Sequence, residues 1–568
     1  MIEFIDISLL HFPEEILKIK LKYPELPTIN MASAKRPILV PAELIIVPGG
    51  QVRSSKVKGD MTAQLIRLAA VKPEDRMRFL TDNGANAGDN GCVVNVLRSD
   101  KNAETFGLHA INPEPMLVKA RLLPPAKLMY GQNNLVDTKL AGAWNLENKK
   151  FFAPTPTDNY ICLIVSSGDL PRSVKHGVET FVTGIDNESR NTGLALKCLH
   201  QPMLASDNLE ELRDMFADIK DKGAKICLCI MMHDCYSNIK YAADWLGLVT
   251  QCIKWKNVER TPRGFFSNVL MKMNSKLGGT NHTLIQRGGA PPQGTFQSPP
   301  NSLSWVLDVP CMFVGIDVSH PDPGSDRASI AAVVGSLDGM CSEYVTRISC
   351  QTGKTEVVAE LEESMYGILT TFKGRHGALP QNIVVYRDGV SDSQFDEILS
   401  SELKAIKGAL ALHGQPDDGS RISFVIVQKN HHTRLVYEEN SHSSKFHNPS
   451  PGVVVDAVGG KDSICSPENV EFYLCSHATI QGTSKPTKYT MVYDEIGMRL
   501  SEVELMTYWL CYLYVRCTRS VSMATPVYYA HWAAKRGKAI LSAGGTVDDL
   551  KSISDKFGGH GALHMFFV

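Results

Sequence analysis

The sequence has no marked excess of either charge, because 59 Lys and Arg side chains nearly balance 60 Asp and Glu side chains. A net charge of −1 argues against a globally basic nucleic-acid-binding protein, so any such surface must be local. No apolar run is long enough to cross a bilayer, and the N-terminus lacks the basic-then-apolar order of a signal peptide. We therefore expect no membrane association and a cytoplasmic location, with a nuclear one left open.

The fourteen cysteines include no C-x-x-C pair. That absence argues against a zinc cluster, and scattered cysteines in a chain of 568 residues argue against a disulfide scaffold. Cys227 and Cys229 alternate with apolar residues, as buried positions of a β-strand would. This cysteine use indicates a reducing compartment.

Alternating strand and helix patterns begin near residue 150 and indicate an α/β layer architecture, divided into several domains because the chain is long. Strands are predicted at 160–165, 225–232, 250–255, 311–318, 329–334, 344–348, 382–387 and 422–428. Helices are predicted at 61–70, 74–81, 207–222, 236–246, 265–277, 355–372 and 393–411, and the segments 503–517 and 527–540 are predicted as late helices or strands. Asp207 is the expected N-cap of its helix and Gly223 its stop. The Gly- and Asn-rich segment 83–91 predicts a loop, and the Gly-, Pro- and Ser-rich segment 288–302 predicts a domain boundary.

Three carboxylates follow the order that an acid-dependent nuclease needs. Asp317 ends an apolar strand (FVGIDVSHP), Glu356 opens the predicted helix after it (KTEVVAEL), and Asp388 ends a second strand (VVYRDGVS). This is the layout of a ribonuclease H fold, in which carboxylates hold the two Mg²⁺ ions of a phosphodiester hydrolysis. His531, in PVYYAHWAAKRGK, is the candidate for a further ligand. A strand-end Asp is by itself usually a cap or a loop residue, so the prediction depends on the set.

A second group of residues suits a terminal phosphate. Tyr236 and Lys240 are four residues apart on one predicted helix, and Asn268, Lys272 and Lys276 share a face of another. Lysines converging with a tyrosine would offer compact positive charges to a phosphate. The alternative is that these lysines only decorate a solvated helix face.

Long motifs connect these two groups to one family. The segments FVGIDVSHP, VVYRDGVSDSQF, VIVQKNHHTRL, FYLCSHATIQGTSKP and LYVRCTRSVSMATPVYYAH closely resemble the PIWI domain of eukaryotic Argonautes, and the Argonaute clade more than the Piwi clade. Upstream, YGQNNLVDTKLAGAWNLENKKFF resembles the second linker of the family, and YPELPTINMASAKRPILVPAELIIV resembles the end of its PAZ domain. The resemblance implies a PAZ remnant at 1–50, the second linker at 51–149, a Rossmann-like α/β MID domain at 150–290 and a ribonuclease H-like PIWI domain at 291–568. On this likeness the chain would be an N-terminally truncated member of the family.

The resemblance assigns roles by position. The catalytic and metal-binding residues would be Asp317, Glu356, Asp388 and His531. The guide 5′ phosphate would contact Tyr236, Lys240, Gln251, Asn268, Lys272, Lys276, Arg536 and the C-terminal Val568. The guide backbone would contact Lys429, Arg434, His477, Lys485, Arg516, Ser522 and Tyr528. The cofactor would be Mg²⁺ or Mn²⁺, and the partners would be a small guide RNA, a complementary target RNA and silencing proteins with tryptophan motifs.

The expected activity is that of a guide-dependent, Mg²⁺-dependent endoribonuclease. The alternative function is a cleavage-inactive scaffold that binds guide RNA and silences by recruiting partner proteins. A ribonuclease H-like recombinase would also explain the acids, but it would not explain the group of Tyr236, Lys240, Lys272 and Lys276. His431 and His432 do not predict a metal site, because adjacent residues of a strand point to opposite faces. The loop 233–235 differs from the family loop that reads the first guide base, so no first-base preference is predicted.

Overall fold

The computed structural model describes residues 21–23, 25–31, 37–46, 59–81, 101–107, 115–157, 159–284, 309–321, 327–353, 355–416, 419–438, 446–559 and 561–568. The chain forms two compact units, Met1–Ala70 and Val71–Val568. In the first unit, strands β1 (Thr28–Asn30) and β2 (Leu39–Pro41) pair antiparallel, and helix α1 covers Gly59–Ala69. The predicted loop at 83–91 and the predicted boundary at 288–302 lie outside the described residues.

The second unit holds the remaining strands and helices. Its strands are β3 Arg121–Leu122, β4 Lys127–Tyr130, β5 Asn134–Asp137, β6 Asn159–Val165, β7 Lys197–Cys198, β8 Met203–Ala205, β9 Ile226–Met231, β10 Val249–Lys254, β11 Thr283–Leu284, β12 Cys311–Ser319, β13 Ser329–Ser336, β14 Tyr344–Gln351, β15 Asn382–Asp388, β16 Arg421–Gln428, β17 Tyr437–Glu438, β18 Phe446–His447, β19 Val453–Asp456, β20 Val470–Cys475 and β21 Thr487–Asp494. Its helices are α2 Pro73–Thr81, α3 Lys101–Thr105, α4 Arg172–Thr192, α5 Leu209–Asp221, α6 Tyr236–Leu246, α7 Trp255–Arg260, α8 Phe265–Lys276, α9 Leu361–His376, α10 Phe395–Ile398, α11 Lys404–Leu412, α12 Leu500–Leu510, α13 Thr525–Ser542 and α14 Val547–Gly558.

The first of two large sheets is parallel throughout. Its strands follow the order β10-β9-β6-β7, and β8 also pairs with β6. Apolar runs make β6 and β9 almost wholly buried, as parallel strands covered on both faces require. Cys227 and Cys229 are fully buried in β9, which confirms the prediction that they are buried positions of a β-strand.

The second sheet has the order β14-β13-β12-β15-β16-β21-β20-β19-β3. β12, β13 and β14 are antiparallel neighbours, whereas β12, β15 and β16 run parallel. An antiparallel meander followed by parallel strands is the ribonuclease H arrangement, so the predicted α/β fold class is confirmed. The predicted strands agree with the observed ones to within a few residues at each end.

Three local predictions were wrong. Asn208, not Asp207, caps helix α5, because its side chain accepts from the N–H groups of Glu210 and Glu211 at 2.9 and 3.3 Å. The helix predicted at 355–372 starts only at Leu361. The helix predicted at 393–411 is interrupted by a π-turn at Leu399–Leu403 between α10 and α11. Of the late segments, 527–540 lies within α13, whereas 503–517 leaves helix α12 after Leu510.

Helix α13 lies directly on the second sheet. A Cβ built on Gly315 of β12 would stand 2.2 Å from the backbone oxygen of Pro526, so only glycine permits this approach. Near the other end of the helix, a Cβ on Gly537 would meet Ile348 and Ile330 at 2.8 and 3.0 Å. At both positions the absence of a side chain lets the helix lie close to the strands beneath it.

The described residues bear on membrane crossing and on cysteine pairing. No helix there combines the length and the apolar character that crossing a bilayer needs. The cysteines of the same ranges are all free thiols.

Candidate active site and anion pocket

Two carboxylates meet at the same edge of the second sheet. Ile316 of β12 is in register with Arg387 of the parallel strand β15. The next residue of each strand is therefore Asp317 or Asp388, at the carboxyl ends of adjacent strands. The side chains are both 15% exposed. The register places these two sequence-predicted acids side by side.

His531 on helix α13 joins the two acids. Its Nε2 atom is 2.9 Å from Oδ2 of Asp388 and 3.6 Å from Oδ1 of Asp317. Burial lowers the pKa of His531, but the hydrogen bond to Asp388 and the charge of Asp317 outweigh it, so the net pKa is raised. Burial and the charges of Asp388 and Glu356 raise the pKa of Asp317.

Glu356 lies beside these three residues, but its hydrogen bond is to a residue outside the group. Its Oε1 atom pairs with Nε2 of His320 at 2.7 Å, and His320 is anchored through Nδ1 to Ser329 Oγ at 2.8 Å. Its other oxygen, Oε2, is buried and makes no hydrogen bond within the described part of the chain. A Cβ built on Gly389 would be 3.5 Å from that oxygen, which places it next to the segment that follows Asp388.

Glu356 lies in an irregular segment, not in the first turn of a helix as the sequence predicted. Gln351 holds this segment by donating to the carbonyl oxygens of Thr355 and Val357 at 2.7 and 3.0 Å. It also accepts from the N–H of Ala359 at 3.2 Å. One side chain thus satisfies three backbone groups that a helix would have paired differently.

A buried ion pair supports both carboxylate segments. Arg387 and Glu402 are fully buried, with Arg387 Nε 3.0 Å from Glu402 Oε2. The remaining guanidinium N–H groups donate to the carbonyl oxygens of Asp388 and Glu356. Glu402, in the π-turn, also accepts from the N–H of Val358 at 3.2 Å. The sequence did not predict His320, Arg387 or Glu402 as site residues, although His320 lies in the motif FVGIDVSHP and Arg387 in VVYRDGVSDSQF.

The acid group has the chemistry of a divalent metal site. Among the described residues, Asp317, Asp388 and His531 form the group whose ligand atoms all lie within 4.8 Å of one another. Carboxylate oxygens and one imidazole suit Mg²⁺ or Mn²⁺. The buried, unpaired oxygen of Glu356 is a further donor of the same kind. The residues present therefore fit the metal that the sequence predicts.

The predicted phosphate pocket contains buried cations. Lys240, Lys276 and Arg536 are each no more than 2% exposed. Nζ of Lys240 donates to Thr250 at 2.8 Å (O) and 2.6 Å (Oγ1), and Nζ of Lys276 donates to Thr250 O and Gln251 Oε1, both at 2.9 Å. Within the described ranges no carboxylate forms an ion pair with either lysine. The alternative of a solvated lysine face therefore fails for both.

Lys272 and Tyr236 join Lys240, Lys276 and Arg536 in one group of residues, here called the cation pocket. Lys240 Nζ lies 5.5 Å from the centroid of the Tyr236 ring, as their spacing on α6 predicts. Burial and the charges of Arg516 and Lys240 lower the pKa of Lys272 to about 8. Burial and its cationic neighbours, Arg536 among them, hold the pKa of Lys276 well below its usual value.

The remaining residues of the predicted pocket are Arg536, Val568 and Asn268. Arg536 donates to Asp244 Oδ2 at 2.6 Å and to the carbonyl oxygen of Phe566 at 2.9 Å. Val568 is buried at the end of the C-terminal segment, to which Phe566, the acceptor for Arg536, also belongs. Asn268 is half-buried on α8, and the structure places no pocket residue in hydrogen-bond contact with its side chain.

Four of the residues predicted to hold the guide backbone form a basic series, in which each lies close enough to another to affect a pKa: Lys429, Arg434, His477 and Lys485. Burial lowers the pKa of Lys429 to about 8, although the charge of Asp388 opposes this. Burial and Lys429 lower the pKa of His477 to about 4. Burial and Arg434 lower the pKa of Lys485, and burial and Arg76 lower that of Arg434. Arg76 of α2 was not predicted; its Nε bonds Thr483 Oγ1 at 3.0 Å.

The other three backbone candidates lie on or near α13. Arg516 stacks on an indole ring and lies close enough to Lys272 to lower its pKa. The hydroxyls of Ser522 and Tyr528 are 3.3 Å apart, and the Tyr528 ring is 6.3 Å from that of His531. His431 bonds the carbonyl oxygen of Pro486 at 2.8 Å, and His432 is exposed. Neither belongs to a group of metal-ligand type among the described residues.

The Piwi domain family matches residues 227–542 of the chain. The chain is 32% identical over 554 residues to Protein argonaute MEL1 of Oryza sativa subsp. japonica. It is 30% identical over 536 residues to tag-76 of Caenorhabditis elegans. Each alignment covers 91% of this chain and 49% of the relative, so the chain spans about half the length of the curated relatives it matches.

Solved structures share the fold at lower identity. Kluyveromyces polysporus Argonaute with a guide RNA superimposes with a TM-score of 0.73 at 21% identity, covering 95% of this chain and 61% of that chain. The C-terminal lobe of a budding yeast Argonaute gives a TM-score of 0.69 at 22% identity, covering 79% of this chain and 95% of that chain. The Piwi domain match extends over more than half of the sequence. The chain therefore belongs to the Argonaute family of Piwi-domain proteins.

Proposed function

We propose that this chain binds a small guide RNA by its 5′ phosphate and cleaves RNA that is paired to the guide. The guide part rests on one observation, the group formed by the buried cations Lys240, Lys276 and Arg536 with the half-buried Lys272. Burial disfavours a charged amine and like charges repel when they lie close together, and the lowered pKa values of Lys272 and Lys276 reflect this combined cost. A phosphate monoester, with up to two negative charges, would relieve it. The related Kluyveromyces polysporus structure contains a guide RNA, which supports the same ligand here.

The cleavage part rests on the group of Asp317, Asp388 and His531, with Glu356 beside it. These side chains would hold two Mg²⁺ or Mn²⁺ ions, which supply charge stabilisation for the attacking and leaving oxygens of the hydrolysis. Arg387 and Glu402 would fix the strand end and the Glu356 segment on which the acids stand. The basic series around Lys429 would hold the guide backbone without reading its sequence, so base pairing would select the target.

The test is a cleavage assay on the purified chain. The protein is loaded with a 5′-phosphorylated guide RNA and mixed with a labelled complementary RNA and Mg²⁺. We expect a cut at one guide-defined position, which is absent without the metal and in Asp388→Ala. Lys276→Ala serves as the pocket variant and should weaken binding of the phosphorylated guide while leaving the acids intact.

Three outcomes separate the candidate functions. A cut that follows the guide and needs Asp388 supports the nuclease. Tight binding of the phosphorylated guide with no cut under any metal would instead support the cleavage-inactive scaffold. Equal affinity for 5′-phosphorylated and 5′-hydroxyl guides would refute the phosphate pocket.

The resemblance to eukaryotic Argonautes also supports a proposal about partners and location. We propose that silencing proteins with tryptophan motifs bind this chain and that it acts in the cytoplasm or nucleus. Affinity capture with a tryptophan-motif peptide, and fractionation of cells that express the chain, test these two statements.

A further inference from the structure

Trp532 and Arg516 form a contact that neither proposed site explains by itself. The guanidinium carbon of Arg516 lies 3.5 Å from the centroid of the Trp532 indole ring. Trp532 is on helix α13, one residue after His531, and Arg516 is in the segment between α12 and α13. A guanidinium this close to an indole face is within stacking contact, which favours one orientation of the flat group.

The indole ring is itself held in place. Its Nε1 donates to the hydroxyl of Tyr514 at 2.7 Å. Tyr514 is buried and packs against the rings of Tyr528 and Tyr529, with centroid distances of 5.1 and 5.8 Å. The ring that supports Arg516 therefore has a fixed position before any ligand binds.

Arg516 has donor capacity that the described protein does not use. Its Nη1 atom is buried and has no hydrogen-bond partner among the described residues. An unpaired buried N–H of a charged group is costly, so such a group needs an explanation. Arg516 also lies near Lys272 of the cation pocket, whose pKa it lowers. Lys535, on the same helix as Trp532, is a second cation over the indole ring, at 4.6 Å.

We infer that Trp532 is a positioning residue, which holds the Arg516 guanidinium so that its free N–H groups bind a phosphate group of the guide beside the cation pocket. This inference rests on the proposed function. Stacking restricts the rotation of the arginine before binding, so less conformational entropy is lost when the phosphate is bound. A leucine or methionine at position 532 would fill the space without orienting the charge.

The experiment measures guide affinity in a double-mutant cycle on the full chain. The probe is a 3′-labelled guide RNA with either a 5′ phosphate or a 5′ hydroxyl, and the variants are Trp532→Leu, Arg516→Ala and the double variant. Trp532→Met replaces the leucine variant if that variant does not fold. The control is Trp245→Leu, which removes an indole that also lies under a cation, Lys556 at 4.6 Å, but in contact with Asp549 of α14.

We expect Trp532→Leu to weaken guide binding about three- to tenfold, the range of a partly desolvated cation–π contact. It should cause no further loss once Arg516 is alanine, and Trp245→Leu should leave the affinity unchanged. A purely structural role of Trp532 would instead lower affinity equally with and without Arg516. An unchanged affinity in Trp532→Leu, or losses that add in the double variant, would overturn the inference.

The two guides identify which phosphate is bound and protect the test from a failure of the proposed function. If the loss is equal for both guides, Arg516 binds an internal phosphodiester; if it is confined to the phosphorylated guide, Arg516 binds the 5′ phosphate. A wild-type chain that does not prefer the phosphorylated guide refutes the proposed pocket, whatever Trp532 does. In another outcome, Lys276→Ala removes the preference for the phosphorylated guide while Trp532→Leu binds that guide with full affinity. This outcome refutes only the inference about Trp532.

Discussion

Lys272 gives the cation pocket a sensitivity to pH. Burial and the charges of Arg516 and Lys240 lower the pKa of this side chain to about 8, from an ordinary value of 10.5. A bound phosphate favours the protonated amine, so binding must raise the pKa again and take up a proton. By linkage, affinity then falls as the pH rises through the pKa of the free pocket.

We therefore predict that the affinity for a 5′-phosphorylated guide falls about tenfold between pH 7 and pH 9, where Lys272 loses its proton. The phosphate itself does not cause this change, because its second ionisation has a pKa of about 6 and is nearly complete at pH 7. Lys272→Arg keeps its charge over this pH range and should show a smaller fall in affinity. The fall that is left would come from Lys276, whose loss of a proton also weakens binding. Equal slopes for the wild type and Lys272→Arg, in fluorescence anisotropy titrations, would contradict the assignment.

The pair of Arg387 and Glu402 is a residue-scale support whose removal should be costly. Both side chains are fully buried, and Arg387 also donates to the backbone of Asp388 and Glu356. We predict that Glu402→Gln lowers the free energy of unfolding by about 3–5 kcal/mol, because it leaves a buried guanidinium without its counter-charge. Urea denaturation measures this loss. Asp218→Asn, which breaks the exposed pair of Asp218 with Lys222, should change stability by less than about 1 kcal/mol.

The proposed catalytic acids were easier to predict from the sequence than the residues that support them. Asp317 and Asp388 end apolar strands, and that pattern is visible in one dimension. Arg387 and Glu402 pair across fifteen residues through a π-turn, and the indole of Trp532 contacts an arginine sixteen residues earlier. No local period encodes such pairs, because each depends on how separate elements pack.

At the scale of elements, the position of helix α13 on the sheet depends on a glycine. Gly315 lets the backbone of Pro526 approach strand β12, and the same helix carries His531 against the acids. A methyl group at position 315 would overlap backbone atoms, which cannot move by rotating a side chain. The helix as a whole would have to shift away from the sheet.

We predict that Gly315→Ala lowers the free energy of unfolding by about 1–3 kcal/mol, the usual cost of overpacking a core. It should also reduce target cleavage more than guide binding, since His531 lies closer to the displaced end of the helix than Arg536 does. Gly374→Ala is the matched control: it is exposed within α9, and its Cβ would meet nothing within 4 Å. That change should be neutral or stabilise the protein by about 0.5–1 kcal/mol. A stable and fully active Gly315→Ala protein would contradict the close approach.

Elements with strong apolar periodicity were predicted with nearly correct ends, and the errors have physical causes. Helix α6 was predicted at its exact bounds. The start of α9 was placed six residues too early, because Gln351 pairs with the backbone of 355–359 and takes the place of the first helical turns. The break at Leu399–Leu403 places Glu402 toward Arg387, a tertiary demand that overrides local helix propensity.

At the scale of the whole molecule, a net charge of −1 conceals a separation of charge. Cations gather around Lys276 and along the series from Lys429 to Arg76, whereas carboxylates gather at Asp317 and Asp388. Such a distribution attracts an RNA only weakly at long range, but strongly along the surface that carries these cations. Guide binding should therefore depend on counterion release at that path.

We predict that the logarithm of guide affinity falls linearly with the logarithm of salt concentration, by about 0.7 for each phosphate contacted in a single strand. Lys429→Ala and Lys485→Ala should each reduce the slope by about that amount without changing the preference for a 5′ phosphate. Lys404→Ala, a lysine on α11 outside the basic series, is the control and should leave the slope unchanged. Identical slopes in the wild type and the three variants would mean that the guide RNA backbone binds elsewhere on the protein.

Helix α13 also limits how this protein can change over generations. Within six residues it presents His531 to the acids, Trp532 to Arg516 and Arg536 to the C-terminal segment, over an axial distance of about 8 Å. A substitution that rotates or shifts the helix to improve one of these contacts will disturb the other two. Tuning of guide affinity separately from cutting should therefore arise in the strands and loops opposite the helix, and the helix itself should tolerate few replacements.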